Sequence, residues 1–206
     1  MTRTLVRRVA VAGTALVAGF ALSACGGSSS GADAGMPDMG AAAGTAPGGS
    51  ASATSNEADA AFAGHMIVHH QQAVGMAELA ESRAGNAEVK KLSARIKAAQ
   101  SPEIATMTGW LRSWGQPASP GGMEMGHDAM PGVMSDDDMK KLAAMSGKEF
   151  DKEFLTMMIA HHEGAIEMAK EETSGGASAD AKALAQQIGT SQQAEIDSMK
   201  QLLISL

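Results

Sequence analysis

The sequence predicts an all-α protein, a four-helix bundle made of two duplicated helical hairpins. Three observations support this fold class: an internal repeat at an offset of 92 residues, apolar side chains spaced three and four apart, and helix caps and stops at matching places in both copies. Two hairpins that each expose an apolar face bury those faces by packing against one another, which gives a four-helix bundle.

The N-terminus, residues 1–24, has the features of a bacterial lipoprotein signal peptide. Three arginines precede an apolar run that is too short to span a bilayer comfortably, and the run ends in Leu22-Ser23-Ala24-Cys25. This tetrapeptide resembles a lipobox, in which the cysteine becomes the lipid-modified first residue. We therefore expect lipidation of Cys25 and an anchor to the cell membrane on its extracytoplasmic face.

The next segment, residues 25–56, is rich in Gly, Ala and Ser and predicts a disordered stalk. Removing residues 1–24 takes three arginines and no acidic residue from a net charge of −7, which leaves −10. A surface this acidic argues against nucleic acid as a partner. The single cysteine excludes an internal disulfide and a cysteine-rich metal cluster.

The duplicated domain occupies residues 57–206, with repeats at about 57–114 and 147–206. Each copy contains Asp-x-x-Phe followed by Met-Ile-x-His-His-x-x-Ala-x-x-Met-Ala, and then a second stretch with Gln-x-x-Glu-Ile. Apolar residues recur every three or four positions, as on one face of a helix. The predicted long helices are 57–83, 87–114, 147–173 and 179–205, with a shorter helical piece after Ser135.

Helix ends are marked by caps and glycines. Gly85 and Gly175-Gly176 supply stops after the first helix of each half. Pro102 lies inside the second helix, where we expect it to kink the helix or remove one backbone hydrogen bond. The predicted starts are two capping boxes, Thr54 with Glu57 and Ser146 with Glu149, and two N-caps, Asn86 and Ser178.

Two consecutive histidines lie near the middle of the first helix of each half, His69-His70 and His161-His162. Adjacent helical residues point about 100° apart, so we expect His69 and His161 to face the bundle axis and the other two to lie on its flank. Burying so many polar groups is costly unless each finds a partner, and a metal ion is one such partner. The four histidines therefore predict a metal site.

Other polar and sulfur-containing residues lie at matching depth. Met66 and Met158 precede the second histidine of each pair by four residues and are predicted thioether ligands. Further candidates, as ligands or as partners that orient the imidazoles, are Glu103, Glu195, Gln100, Gln192, His65 and Met157.

Two alternatives to a metal-binding protein remain open. In the first, His69 and His161 donate to Glu103 and Glu195 in a metal-free core, and the chain is a helical interaction module. The second is a ferritin-like di-iron oxidase, but such sites need Glu-x-x-His on two helices, and no glutamate stands three residues before a histidine of either pair. We do not expect an enzyme.

The loop between the halves, residues 115–134, is rich in methionine although it is bounded by Gly and Pro. Met123, Met125, His127 and Met130 are therefore candidates for a looser accessory metal site. Thioether and imidazole ligands together suit copper, with sulfur favouring Cu(I), while zinc is also compatible with a cluster of histidines.

Both halves resemble the bacterial domain-of-unknown-function 305 (DUF305) family, through the motif from Met66 to Ala77 and its copy from Met158 to Ala169. The resemblance covers about residues 57–206. It implies a ferritin-like helical bundle, and in some relatives extracytoplasmic copper binding and resistance.

We therefore expect an extracytoplasmic, lipid-anchored protein that captures, buffers or delivers copper through His and Met ligands. Its expected partners are a metal ion and, through the lipid alone, the membrane. A homodimer and a metal-accepting partner protein are both compatible with the sequence.

Overall fold

The computed structural model of the chain describes residues 54–117 and 130–206. The predicted signal peptide, Cys25 and nearly all of the predicted stalk lie outside the described residues, as do Met123, Met125 and His127. The described part contains helices and no β-strand, which confirms the predicted all-α class. The helices are α1 (Glu57–Arg83), α2 (Ala87–Ser113), α3 (Asp136–Ala144), α4 (Gly147–Gly175) and α5 (Ala179–Ser205).

The four long helices pair as two hairpins. In the first hairpin α1 packs against α2, in the second α4 packs against α5, and the hairpins meet mainly through α1 and α4. The short helix α3 lies beside both α1 and α4. None of the helices in the described residues is both long enough and apolar enough to cross a membrane.

Two buried apolar clusters occupy the two ends of this arrangement. One cluster includes Phe62, Met66 and Met107, and the other includes Phe150, Phe154 and Met158. The middle of α1 and α4, between the clusters, carries buried polar side chains instead. The fold therefore holds a polar layer between two apolar ends.

Two buried aspartates tie the hairpins together. Asp59, at the start of α1, accepts hydrogen bonds from the backbone N–H groups of Ala177 and Ser178, in the turn between α4 and α5. Asp151, near the start of α4, accepts from Gly85 and Asn86, in the turn between α1 and α2. Each helix start thus contacts the turn of the other hairpin, so α1 and α4 run antiparallel.

The turn of the first hairpin also lies against the start of α4. Gly147 has a φ of +61°, and a Cβ added at Gly85 would lie only 2.9 Å from the Cα of Gly147. Gly85 permits this approach because it has no side chain, and glycine at position 147 readily adopts the positive φ. Asp151 can then reach the N–H groups of the turn.

The predicted caps are partly correct. The side chains of Asn86 and Ser178 cap α2 and α5 as expected. The first capping box is wrong, because it forms between Asn56 and Asp59 rather than between Thr54 and Glu57. Asp59 also binds the distant turn, and this contact favours the register that buries its side chain.

One further expectation about a helix start needs correction. Ser146 is the N-cap of α4, but its side chain makes no capping hydrogen bond, so the predicted box with Glu149 is wrong. Helix α2 continues through Pro102 from Ala87 to Ser113. Proline removes one N–H donor there without ending the helix.

Candidate metal centre

Four histidine side chains are fully buried where α1 packs against α4. His69 and His70 lie near the middle of α1, and His161 and His162 near the middle of α4. The rings of His69 and His161 are in contact, with centroids 3.7 Å apart and planes inclined by 42°. The ring centroids of His161 and His162 are 6.4 Å apart. The fold therefore brings both pairs into one layer.

The second histidine of each pair faces its own hairpin partner. Nε2 of His70 lies 2.7 Å from Oε2 of Glu103 on α2, and Nε2 of His162 lies 2.7 Å from Oε2 of Glu195 on α5. The metal-free alternative paired these glutamates with His69 and His161, and this pairing is wrong. The flank of α1 that carries His70 is the surface that α2 covers, and α5 covers the same flank of α4.

These contacts decide which ring nitrogen carries the proton. A carboxylate only accepts hydrogen bonds, so Nε2 of His70 and of His162 donates to its glutamate. Nε2 of His69 donates in the same way to the carbonyl oxygen of Pro131, 3.2 Å away. In a neutral imidazole the other nitrogen, Nδ1, then has a free lone pair.

The free lone pairs have no partner within the protein. Nδ1 of His69, His70 and His162 is buried and receives no hydrogen bond, and for His161 this holds for both ring nitrogens. Buried polar atoms normally have a hydrogen-bond partner. Four imidazoles in one layer that each have an unpaired ring nitrogen therefore indicate a bound ligand. Imidazoles that bind metal usually donate their other N–H to a carboxylate or a backbone carbonyl, and three of these four do so.

Burial keeps the imidazoles of His69 and His161 neutral. Burial, followed by the repulsion that a charged His70 or His162 would exert, lowers the pKa of His69 to about 3. Burial and the nearby rings of His69 and His162 hold the pKa of His161 well below its usual value of 6.5. Neutral imidazole is the form that coordinates metal ions, so His69 and His161 are ready to bind a metal ion at neutral pH.

Two glutamines extend the polar layer. Gln100 and Gln192 lie one turn before Glu103 and Glu195 and are each only 3% exposed. Both amide atoms of Gln100 and the carbonyl oxygen of Gln192 lack a hydrogen-bond partner. These side chains add polar atoms that a bound ion or its water ligands could satisfy.

The predicted thioether ligands flank the histidines from opposite sides. Met66 is fully buried one turn before His69 and His70, and Met158 is fully buried one turn before His161 and His162. Because α1 and α4 run antiparallel, the two methionines approach from the two apolar clusters. A sulfur atom is thus available at each end of the layer.

A connecting segment, residues 130–135, covers one side of the layer, and we call it the strap. Gln72 holds it with two hydrogen bonds of 2.8 Å to the backbone of Met134. A Cβ added at Gly132 would lie 2.6 Å from the carbonyl oxygen of Ala160, so the strap lies directly on α4. The strap contacts His69 through the carbonyl oxygen of Pro131, and His161 has no equivalent hydrogen bond.

The remaining candidates are distributed differently. Met130 is the first residue of the strap and is partly buried next to Pro131, whereas the other accessory-loop candidates lie outside the described residues. Met157 belongs to an apolar cluster. His65 lines a separate cavity near the start of α1. Within residues 54–117 and 130–206, no three His, Cys, Asp or Glu side chains are arranged as a ready ion-binding group.

Sequence reasoning missed three residues that shape the site. Asp59 and Asp151 stand at equivalent places in the repeat, so their pairing was a usable signal for a shared structural role. No sequence signal identifies Pro131, because it contacts His69 through its backbone carbonyl, which every residue has.

Comparisons with known proteins show which family and which solved structures this chain resembles. The sequence matches the family described as Domain of unknown function (DUF305) over residues 59–203. A search of the curated proteins gives no significant match. Among solved structures, a candidate secreted DUF305 protein from Streptomyces coelicolor is 36% identical, with a TM-score of 0.66. The match covers 72% of this chain and 93% of that one.

The chain is also similar to a protein named CopM, solved in metal-bound forms. Its Cu(II)-bound structure is 36% identical with a TM-score of 0.62, and its Cu(I)-bound structure is 32% identical with a TM-score of 0.60. Both matches cover 71% of this chain and 96% of CopM.

Proposed function

This chain belongs to the DUF305 family, and from that premise we propose that it captures copper, as a buffer or carrier, without catalysing a reaction. His69, His70, His161 and His162 would bind the ion, with Met66 and Met158 as thioether ligands. The observation that carries the proposal is the buried layer of four imidazoles, each with a ring nitrogen that has no protein partner.

The donor set supports copper over other metals. Neutral imidazole and thioether are ligands for soft or borderline ions, and thioether sulfur favours Cu(I) in particular. CopM, which is similar over 71% of this chain, has been solved with both Cu(I) and Cu(II). Zinc, which also binds clustered histidines, is the competitor that the binding experiment has to exclude.

Glu103 and Glu195 would hold two of the ligands in place. Each accepts a hydrogen bond from the Nε2–H group of its histidine, with the two atoms 2.7 Å apart, and so directs Nδ1 towards the interior. Such carboxylates fix the ring and increase its basicity. The strap would fix His69 in the same way through the carbonyl of Pro131.

The methionine-rich loop would pass copper to this centre. Met123, Met125 and His127 stand shortly before the strap in the sequence, and Met130 begins it. Met130 precedes Pro131, whose carbonyl oxygen contacts His69. We propose that these four residues form the looser accessory site from which the ion enters.

We propose that the four long helices form a ferritin-like bundle on the outer side of the membrane. Residues 1–24 would direct export, Cys25 would carry the lipid, and the segment up to residue 56 would act as the stalk. The similar Streptomyces coelicolor protein, a candidate secreted protein, supports an extracytoplasmic location. A metal-accepting protein and a second copy of the chain are the proposed partners.

The test is a Cu(I) competition titration of the full chain and of His161→Leu. Neither ring nitrogen of His161 has a protein partner, so leucine removes a ligand without removing a hydrogen bond. We expect the variant to keep its helicity and to lose Cu(I) affinity by more than the roughly 10–100-fold cost of losing an outer-shell partner.

The matched control is Glu163→Gln, which changes an exposed side chain next to His162 and should leave Cu(I) affinity unchanged. Equal Cu(I) binding by the wild type and His161→Leu would show that the buried histidines are structural. If the wild type binds Zn(II) more tightly than Cu(I), the histidines form a metal site, but its metal is zinc.

A further inference from the structure

A second cluster of unsatisfied donor atoms lies away from the histidine layer. A cavity of about 170 Å³ opens between the first half of α1 and the last half of α4. His65, Met168 and Glu172 line it, together with Phe62, the exposed Glu171 and two alanines of α1. These three side chains bring an imidazole, a thioether and a carboxylate to the same cavity.

Glu172 is the least expected of the three. Its side chain is 1% exposed, yet neither carboxyl oxygen receives a hydrogen bond from a protein donor. Its head packs so closely on Gly176 that a Cβ there would overlap it. A charged group that is nine-tenths or more buried is costly without a partner, so this carboxylate lacks something that the protein does not supply.

The neighbouring Asp59 meets that need only while Glu172 holds a proton. Asp59 accepts hydrogen bonds from the backbone of Asn56, Ala177 and Ser178, and a protonated Glu172 donates to it as well. Burial, this hydrogen bond and the charge of Asp59 raise the pKa of Glu172 to about 7. Above that pH Glu172 is charged and has no protein donor, and a cation in the cavity would take the place of the proton.

His65 supplies the nitrogen donor. Its Nε2 is buried and has no hydrogen-bond partner, and the ring lies on the face of α1 that borders the cavity. Met168, which is 6% exposed, adds sulfur from α4. Imidazole and carboxylate are favoured by divalent transition metals, and a thioether is compatible with copper.

We propose that His65, Glu172 and Met168 form a second metal site, which binds one divalent transition ion of the Zn(II) or Cu(II) class. Water in the cavity would complete the coordination. The site cannot occur twice, because the equivalent positions in the repeat are Met157 for His65 and Ala80 for Glu172. It does not depend on copper binding by the central histidines.

The experiment titrates the full chain, first saturated with Ag(I) to fill any monovalent site, with Zn(II) and separately with Cu(II). We expect one divalent ion per chain. Affinity should fall about 10–100-fold or more in His65→Ala and in Glu172→Gln, since each removes a ligand. In the Cu(II) complex, His65→Ala should also remove the nitrogen hyperfine coupling from its electron paramagnetic resonance spectrum.

A control variant keeps the test specific. Glu163→Gln changes an exposed acid on the same helix and should bind the divalent ion like the wild type. Thermal unfolding in a chelator checks that every variant is folded. No divalent uptake by the Ag(I)-treated chain, or equal uptake by wild type, His65→Ala and Glu172→Gln, would overturn the second site.

The two proposals fail separately. Loss of Cu(I) binding in His161→Leu with intact divalent binding supports both. A chain that binds no Ag(I) or Cu(I) but still takes up one divalent ion through His65 would remove the central site and keep the second one.

Discussion

The two hairpins share one sequence pattern, yet their surroundings make them unequal. At the centre they agree, because the His70 to Glu103 and His162 to Glu195 distances are both 2.7 Å. Beside the centre they differ, because the strap gives a carbonyl to His69 and nothing to His161. The comparison shows that duplication produces matched imidazole and carboxylate pairs, while the connecting segment decides how each is completed.

The aspartate contacts at the two ends repeat this lesson. Asp59 and Asp151 each bind the turn of the opposite hairpin through backbone N–H groups. At one end Glu172 lies beside Asp59, whereas the equivalent residue of the other half is Ala80. One end is therefore an acidic pair and the other a single acid.

The largest expected effect on stability comes from removing Asp151, the single acid at its end of the molecule. Asp151→Ala removes two hydrogen bonds to a charged acceptor and leaves the N–H groups of Gly85 and Asn86 without partners. We expect a loss of about 3 kcal/mol in the free energy of unfolding, measured by urea denaturation. Asp137→Ala, an exposed acid at the start of α3, should change it little. Equal stability of both variants would show that Asp151 does not hold the hairpins together.

The central symmetry predicts equal effects in the two halves. Glu103→Gln and Glu195→Gln should each weaken Cu(I) binding about 10–100-fold, because each histidine loses the carboxylate that orients it. A competition titration of both variants measures the two losses. A large loss in one variant with none in the other would mean that only one hairpin supplies the ligands.

The strap offers a sharper test of asymmetry. Gly164 faces Pro131 so closely that a Cβ would overlap its carbonyl, whereas Gly75 has nothing within 4 Å of an added Cβ. Gly164→Ala should therefore lower the free energy of unfolding by about 2 kcal/mol. Gly75→Ala should raise it by about 0.5–1 kcal/mol, since alanine favours a helix interior. Thermal unfolding of both variants checks the signs, and stabilisation by Gly164→Ala would contradict the close contact.

The smallest effect depends on pH. The pKa of Glu172 is about 7 in the fold, above its usual 4.5. As pH rises between these values the unfolded chain ionises first, so the wild type loses stability, and the loss is complete above the folded pKa. Glutamine does not titrate. In a chelator, Glu172→Gln should be more stable than wild type by about 1 kcal/mol near pH 9, with little difference near pH 5.

Unfolding curves at the two pH values measure this difference, with Glu167→Gln, an exposed acid of α4 outside the cavity, as the control. A constant gap between wild type and Glu172→Gln across the range would show that the carboxyl group is not held in its protonated form. Metal must be absent, because an ion in the cavity would take the place of the proton.

Much of the candidate site was visible in the sequence. The histidine pairs, the two glutamates and the two methionines were identified from their repeated spacing, and the structure buries all four histidines together. The glutamate partners were assigned to the wrong histidine of each pair. Helical period fixes the angle between neighbouring side chains, but it does not say which neighbouring helix covers each face.

The sequence by itself determined the helices and their duplication. Apolar spacing, capping residues such as Asn86 and Ser178, and glycine stops act within a few residues of the backbone, so they can be read locally. The sequence also determined that the imidazoles lie at the middle of both helices, because position along a helix follows directly from residue number.

Only the tertiary structure decided which atoms meet. The carbonyl of Pro131 on His69, the carboxylate of Glu172 beside Asp59, and the cavity at His65 depend on segments far apart in the chain. A loop such as the strap has no periodic spacing of apolar residues to predict its position. A backbone carbonyl is the same in every residue, so the sequence does not reveal which one makes a contact. Its contacts are therefore set by how the helices pack around it.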